Sequence, residues 1–120
     1  MEPSIDNALS WMIESKRMKR KKLGILLSTP PQHPNKKTAV GLSKAALSGG
    51  HEVYLYLVDD GVRNLDEPEI QELSKGGVHL FVCAYGAQRR NIPASEKAAF
   101  CGLVVLSDLV KGCDQFVTFN

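Results

Sequence analysis

Gly77-Val78-His79-Leu80-Phe81-Val82-Cys83-Ala84-Tyr85-Gly86-Ala87-Gln88-Arg89-Arg90 is the stretch on which the reading of this chain turns. Val78 to Cys83 is a short apolar run opened by a Gly-Gly pair, the pattern of a buried strand. A small-residue turn and two arginines follow it. A nucleophile at a strand end with cations just beyond is the one place in the chain where reactive groups cluster.

Working outward, Val53 to Val58 reads as a second strand, rich in aromatic and branched residues. Its unbroken apolarity predicts burial on both faces, as in parallel sheets. Asp59-Asp60-Gly61 is read as a turn. Asp66 is expected to cap a helix with Pro68 in its first turn, running to Gly76-Gly77. Upstream, Leu23 to Leu27 is a strand stopped at Pro30-Pro31, with Gly24 marking a close backbone approach. Asn35 is expected to cap a helix ended by Gly49-Gly50. Downstream, Ala84 to Glu96 is polar, Leu103 to Val110 is an apolar helix and Phe116 to Phe119 a last strand. Strands and helices therefore alternate. The expected fold is a three-layer α/β/α domain around a mostly parallel sheet of four to five strands.

The totals fit one such domain. The chain has 120 residues, 43% hydrophobic and 23% charged, and lacks an apolar run long enough to span a membrane. Its net charge of +2 is uneven. Lys16, Arg17, Lys19, Arg20, Lys21 and Lys22 crowd the start, and residues 23–120 are close to neutral. Residues 1–21 are read as a basic extension of a domain at 22–120. Ile5, Leu9, Met12 and Ile13 within it follow helical spacing. A solvated leader is favoured over a nucleic-acid contact. With Glu2 and Asp6 early and the basic run after the apolar residues, the start does not read as a signal peptide, which places the chain in the cytoplasm. Its cysteines, at 83, 101 and 113, are expected as free thiols.

In open parallel sheets, ligands bind beyond the carboxyl ends of the strands. Cys83 ends a strand there. If Ala84 to Arg90 is helical, its N–H groups face the sulfur, and arginine charge favours a thiolate. Spacing alone leaves two readings even: a reactive thiol, or a packed strand end. Arg89 and Arg90 are candidate thiolate-stabilising or substrate-binding groups. Tyr85 and Gly86 line the same turn, and His33 lies on a loop expected at the same edge. Cys101 and Cys113 are read as packing residues, His79 as a strand histidine and His51 as a turn residue. Asp59 and Asp60 are read as turn formers. Without ligand-spaced Cys or His pairs, neither a metal nor a cofactor is expected.

Cys83 and Arg89 also form C-x5-R, the spacing that wraps an oxyanion around a thiolate. A phosphatase- or arsenate-reductase-like enzyme is therefore the alternative, weakened because Gly86 is the only glycine in the segment. A non-catalytic binding module is the third possibility.

The segment Gly77 to Ile92 resembles the cysteine region of the DsrE/DsrF-like sulfur-relay family. The resemblance extends to Lys22–Leu27, to Lys37–His51 with its Gly-His-Glu turn, to Tyr56–Val62 and to the closing Gly112–Val117. It implies an α/β/α fold and sulfur transfer through a persulfide on Cys83. It also implies donor and acceptor proteins, and assembly into trimers or hexamers. Residues 1–21 lie outside the pattern, and Pro30 to Pro34 departs from it.

Overall fold

The computed structural model describes residues 20–120. In chain order they form β1 (Lys22–Leu27), α1 (Asn35–Ser48), β2 (Glu52–Leu57), a 3-10 turn (Asp59–Asn64), α2 (Pro68–Lys75), β3 (His79–Cys83), α3 (Ala84–Arg89), β4 (Ala99–Cys101), α4 (Leu103–Gly112) and β5 (Gln115–Phe119). The five strands make one sheet in the order β4-β3-β2-β1-β5. Every pairing is parallel. The α/β class and the parallel sheet flanked by helices match the sequence reading.

Burial explains the continuous apolar strands. Ile25, Leu27, Val53, Leu55, Leu57 and Val82 are all fully buried. Each such side chain contributes about 1.5–3 kcal/mol relative to exposure. Ala39 and Val40 of α1 and Ile70 and Leu73 of α2 join this core, with Leu42, Ala46 and Leu47 packed at its border. On the other face, Tyr54 shares a depression with Val105, Asp108 and Leu109 of α4. No residue of α4 is buried, although its sequence is the most apolar of the helices.

Gly24 behaves as its sequence suggests. It pairs in register with Phe116, and a Cβ there would lie 2.5 Å from the Phe116 ring.

Several local expectations differ. Pro34, not Asn35, occupies the cap of α1, and no side chain caps it. Asn35 is drawn into the first turn, and its Nδ2 donates to the Asn120 carbonyl at 3.2 Å. Glu67, not Asp66, precedes α2, because Pro68 fixes the first helical φ. Asp66 instead pairs with Lys97 at 2.6 Å. β4 escapes the sequence reading because it has three residues and a single neighbour at the sheet edge. Asp59-Asp60-Gly61 opens a full 3-10 turn.

The basic run is only partly visible. Ile5 to Lys19 lies outside the described residues. Arg20 pairs with Glu52 at 3.2 Å, and the Lys21 N–H donates to His51 Nδ1 at 3.0 Å. Arg20 to Lys22 are thus tied to the body of the fold.

Candidate functional site

Cys83 closes β3 and caps α3. It is 4% exposed. The Gly86 N–H donates to Cys83 Sγ at 3.4 Å, so the turn after the strand supplies a hydrogen bond to the sulfur. A Cβ at Gly86 would stand 3.4 Å from Val62 and 3.5 Å from the Asp59 nitrogen. The small residue lets α3 lie close against the 3-10 turn.

A cleft of about 350 Å³ opens at this end of the sheet. Its walls are Val58, Asp59, Cys83, Tyr85, Gly86, Arg89, Arg90 and Leu103. It lies beyond the carboxyl ends of β2 and β3, where such sheets bind ligands. It does not sit where the strand order reverses, between β1 and β5. There the Asn120 side chain accepts from Ser28 Oγ at 2.9 Å.

The two arginines have different surroundings. Arg90 is half-buried; its Nε donates to Asp60 Oδ1 at 2.9 Å and its Nη1 to the Gly86 carbonyl at 3.1 Å. Arg89 is exposed. Its Nη1 donates to the Tyr85 hydroxyl at 3.0 Å, and its guanidinium lies 5.7 Å from that ring's centre. Among the described residues, no carboxylate pairs with Arg89. Its charge is therefore available to an anion in the cleft, whereas much of the Arg90 charge is met by Asp60.

His33 is not among the residues lining the cleft. Its Nδ1 accepts the Asn35 N–H at 3.1 Å, and it borders a separate depression with Pro31, Gln32, Pro34, Lys36 and Lys37. Cys113 lies at the opposite edge of the sheet, beside Lys22 and Gly112. His79 stacks on Tyr54, ring centres 4.6 Å apart. The described residues contain no group of three possible metal ligands.

Two neighbours of Cys83 were hidden in the sequence. Strand alternation puts His79, Phe81 and Cys83 on one face, and the register places Tyr54 and Tyr56 beside them. Tyr56 reaches the carboxyl edge, where its hydroxyl donates to the Gly102 carbonyl at 3.3 Å. Burial, then the thiols of Cys101 and Cys83, push its pKa above the ordinary phenol value. Cys101 itself stands opposite Cys83 in the β3–β4 register. Neither Tyr56 nor Cys101 carried a signal, because both depend on which strands become neighbours.

The sequence model described as the DsrE/DsrF-like family matches residues 21–119. The chain belongs to that family. A relative from Pseudomonas aeruginosa, named a sulfurtransferase TusD homolog, is 32% identical to this DsrE/DsrF-like chain. The match covers 82% of the chain and 97% of the relative. In three dimensions the fold is similar to the crystal structure of the ychN protein from E. coli, with a TM-score of 0.70 at 18% identity. That likeness covers 83% of this chain and 99% of the other. That likeness is one of fold, the layered α/β architecture.

Proposed function

We propose that this DsrE/DsrF-like chain is a sulfur-relay protein that carries sulfane sulfur as a persulfide on Cys83. The observation that carries the reading is the setting of Cys83. It sits at the carboxyl edge of a parallel sheet, accepts the Gly86 N–H and opens onto a cleft lined by Arg89, a cation that no carboxylate pairs among the described residues. A relative named a sulfurtransferase supports the same chemistry.

Loading proceeds by thiolate attack on the outer sulfur of a donor persulfide, and the donor thiolate leaves. The sulfur then rests on Cys83 as an anionic persulfide, which accepts hydrogen bonds as a thiolate does. Arg89 draws anionic donors into the cleft. Delivery repeats the exchange, with an acceptor thiolate attacking the terminal sulfur and Cys83 leaving. Donor and acceptor proteins present their thiols at the cleft mouth, beside Tyr85, which is 65% exposed.

The same reading makes the chain a homo-oligomer, a trimer or hexamer. Leu103, Val104 and Val110 on α4 are 61%, 75% and 50% exposed. Large apolar side chains in one patch mark an association surface. A reducing cytoplasm suits the three free cysteines. No helix among the described residues is long and apolar enough to cross a membrane.

The phosphatase-like alternative is disfavoured by the path of the chain. A C-x5-R cradle needs successive backbone amides converging on one oxyanion. Here Ala84–Arg89 is wound as helix, and the Arg90 and Ile92 N–H groups bond to the Ala87 carbonyl.

Mass spectrometry after incubation with a low-molecular-weight persulfide tests the proposal. One added sulfur is expected on Cys83 and none on that position in Cys83→Ser. A folded chain that takes up no sulfur at Cys83 would sink the reading. Aryl phosphate hydrolysis abolished by Cys83→Ser would favour the alternative.

A further inference from the structure

Cys101 is not a lone thiol. In the parallel pairing of β3 with β4, Cys83 and Cys101 are direct partners. Partners in a parallel pair project from the same face. Adjacent strands run about 4.8 Å apart, inside the roughly 4.4–6.8 Å Cα range that a disulfide spans. Both thiols are free.

The surroundings of the pair are consistent with access and movement. β4 has three residues and one neighbouring strand, so it can shift toward β3 without breaking a second ladder. Leu103, two residues beyond Cys101, already lines the Cys83 cleft. Cys101 is half-buried, and its sulfur lies 3.9 Å from the Val82 carbonyl. The Tyr56 hydroxyl reaches the same end of the sheet, where it donates to the carbonyl of Gly102, the residue after Cys101, at 3.3 Å.

We propose that Cys101 is the resolving thiol of Cys83. When the Cys83 sulfur bears a leaving group, Cys101 attacks it and closes a Cys83–Cys101 disulfide across β3 and β4. With a persulfide, which rests on the sulfur-carrier reading above, the Cys101 thiolate attacks Cys83 Sγ. The bond to the outer sulfur breaks, and that sulfur departs with the electron pair and takes up the proton that the Cys101 thiol gave up, leaving as hydrosulfide. Two thiol sulfurs are oxidised to a disulfide as the sulfane sulfur is reduced to sulfide, so no outside oxidant enters. A thiol-class reductant restores the pair.

With a peroxide the pair closes independently of sulfur carriage. Cys83 attacks hydrogen peroxide to give a sulfenic acid and water. Cys101 then displaces a second water. A carrier that meets no acceptor thus discharges its cargo as sulfide, and an oxidised site is held as a reducible disulfide instead of advancing to sulfinic acid.

The test uses the full chain, Cys101→Ser and Cys101→Ala, each checked for native circular dichroism. After hydrogen peroxide, thiol alkylation and non-reducing digestion, mass spectrometry should find Cys83 and Cys101 peptides linked in the full chain and never in the variants. After loading with inorganic polysulfide and removal of excess, sulfide should appear roughly tenfold faster from the full chain than from either variant, as expected for a tethered nucleophile. The absence of the linked peptide after peroxide overturns the proposal, as does equal sulfide release from loaded chains. A chain that links with peroxide but takes up no sulfur supports the pair and removes the sulfur-carrier reading instead.

Discussion

Arg90 Nε bonds to Asp60 Oδ1 at 2.9 Å, which ties the helix behind Cys83 to the 3-10 turn that follows β2. The contact joins two segments thirty residues apart in sequence, and among the described residues Arg89 is the cleft cation that no carboxylate meets. Arg90 is 22% and Asp60 55% exposed at the side chain, so solvent screens the pair. Arg90→Ala should lower stability by about 1 kcal/mol or less. Urea midpoints for the wild type, Arg90→Ala and Asp60→Asn measure this. A loss several times larger would show that the pair holds the site together.

Arg89 should act on substrate charge instead of on stability. Arg89→Gln is expected to slow loading of Cys83 by thiosulfate by about tenfold, the value of one charge-assisted contact. A neutral organic trisulfide should load the variant at nearly the wild-type rate. Equal slowing for both donors would assign Arg89 a positional role.

Gly61 should tolerate no side chain. A Cβ there would penetrate the Leu27 carbonyl, with Ser28 Cα next in line. The buried Asn64 amide also donates to the Gly61 carbonyl at 3.0 Å and to the Thr29 carbonyl at 2.9 Å, fixing the turn against β1. Gly61→Ala is expected to cost about 2 kcal/mol or more, because backbone must move. A thermal midpoint equal to that of the wild type would contradict this packing.

Alkaline pH should loosen the fold. Burial pushes the Tyr56 phenol up from its ordinary 10.0, and burial likewise pushes the thiols of Cys101 and Cys113 up from 9.0. The native state then keeps protons that the unfolded chain releases. Stability is present in full below the unfolded values and falls as pH rises through the folded ones. Urea midpoints should be level from about pH 7 to 8 and decline above about pH 9. Tyr56→Phe should remove part of the decline. A midpoint that stays level throughout would be the opposite result.

The α4 surface predicts association. Val104→Asp places a charge at the most exposed large apolar side chain among the described residues and should shift the chain toward monomer in sedimentation velocity. A wild type that sediments as a monomer at micromolar concentration would remove the oligomer reading.

Much of this was legible in the sequence for a physical reason. Buried parallel strands need continuous apolar runs, and Leu23–Leu27, Val53–Val58 and Val78–Cys83 are such runs. Glycine pairs at 49–50 and 76–77 supply the punctuation; Gly50 and Gly77 adopt φ of +84° and +115°. Local chemistry thus declared the alternation, and with it the edge where Cys83 ends. The caps at Asn35 and Asp66 were misplaced because proline geometry outweighed side-chain capping. β4 stayed hidden because three residues at an edge carry too little pattern.

The sequence by itself determined the α/β class, the parallel sheet and Cys83 beside two arginines, since strand period and backbone stops are written in neighbouring residues. Tertiary structure alone decided that Arg90 is committed to Asp60 while Arg89 is not, and that His33 stands outside the cleft. It alone put Tyr56 and Cys101 next to Cys83. Those relations depend on strand order and register, which arise when distant segments pack and leave no trace in local spacing.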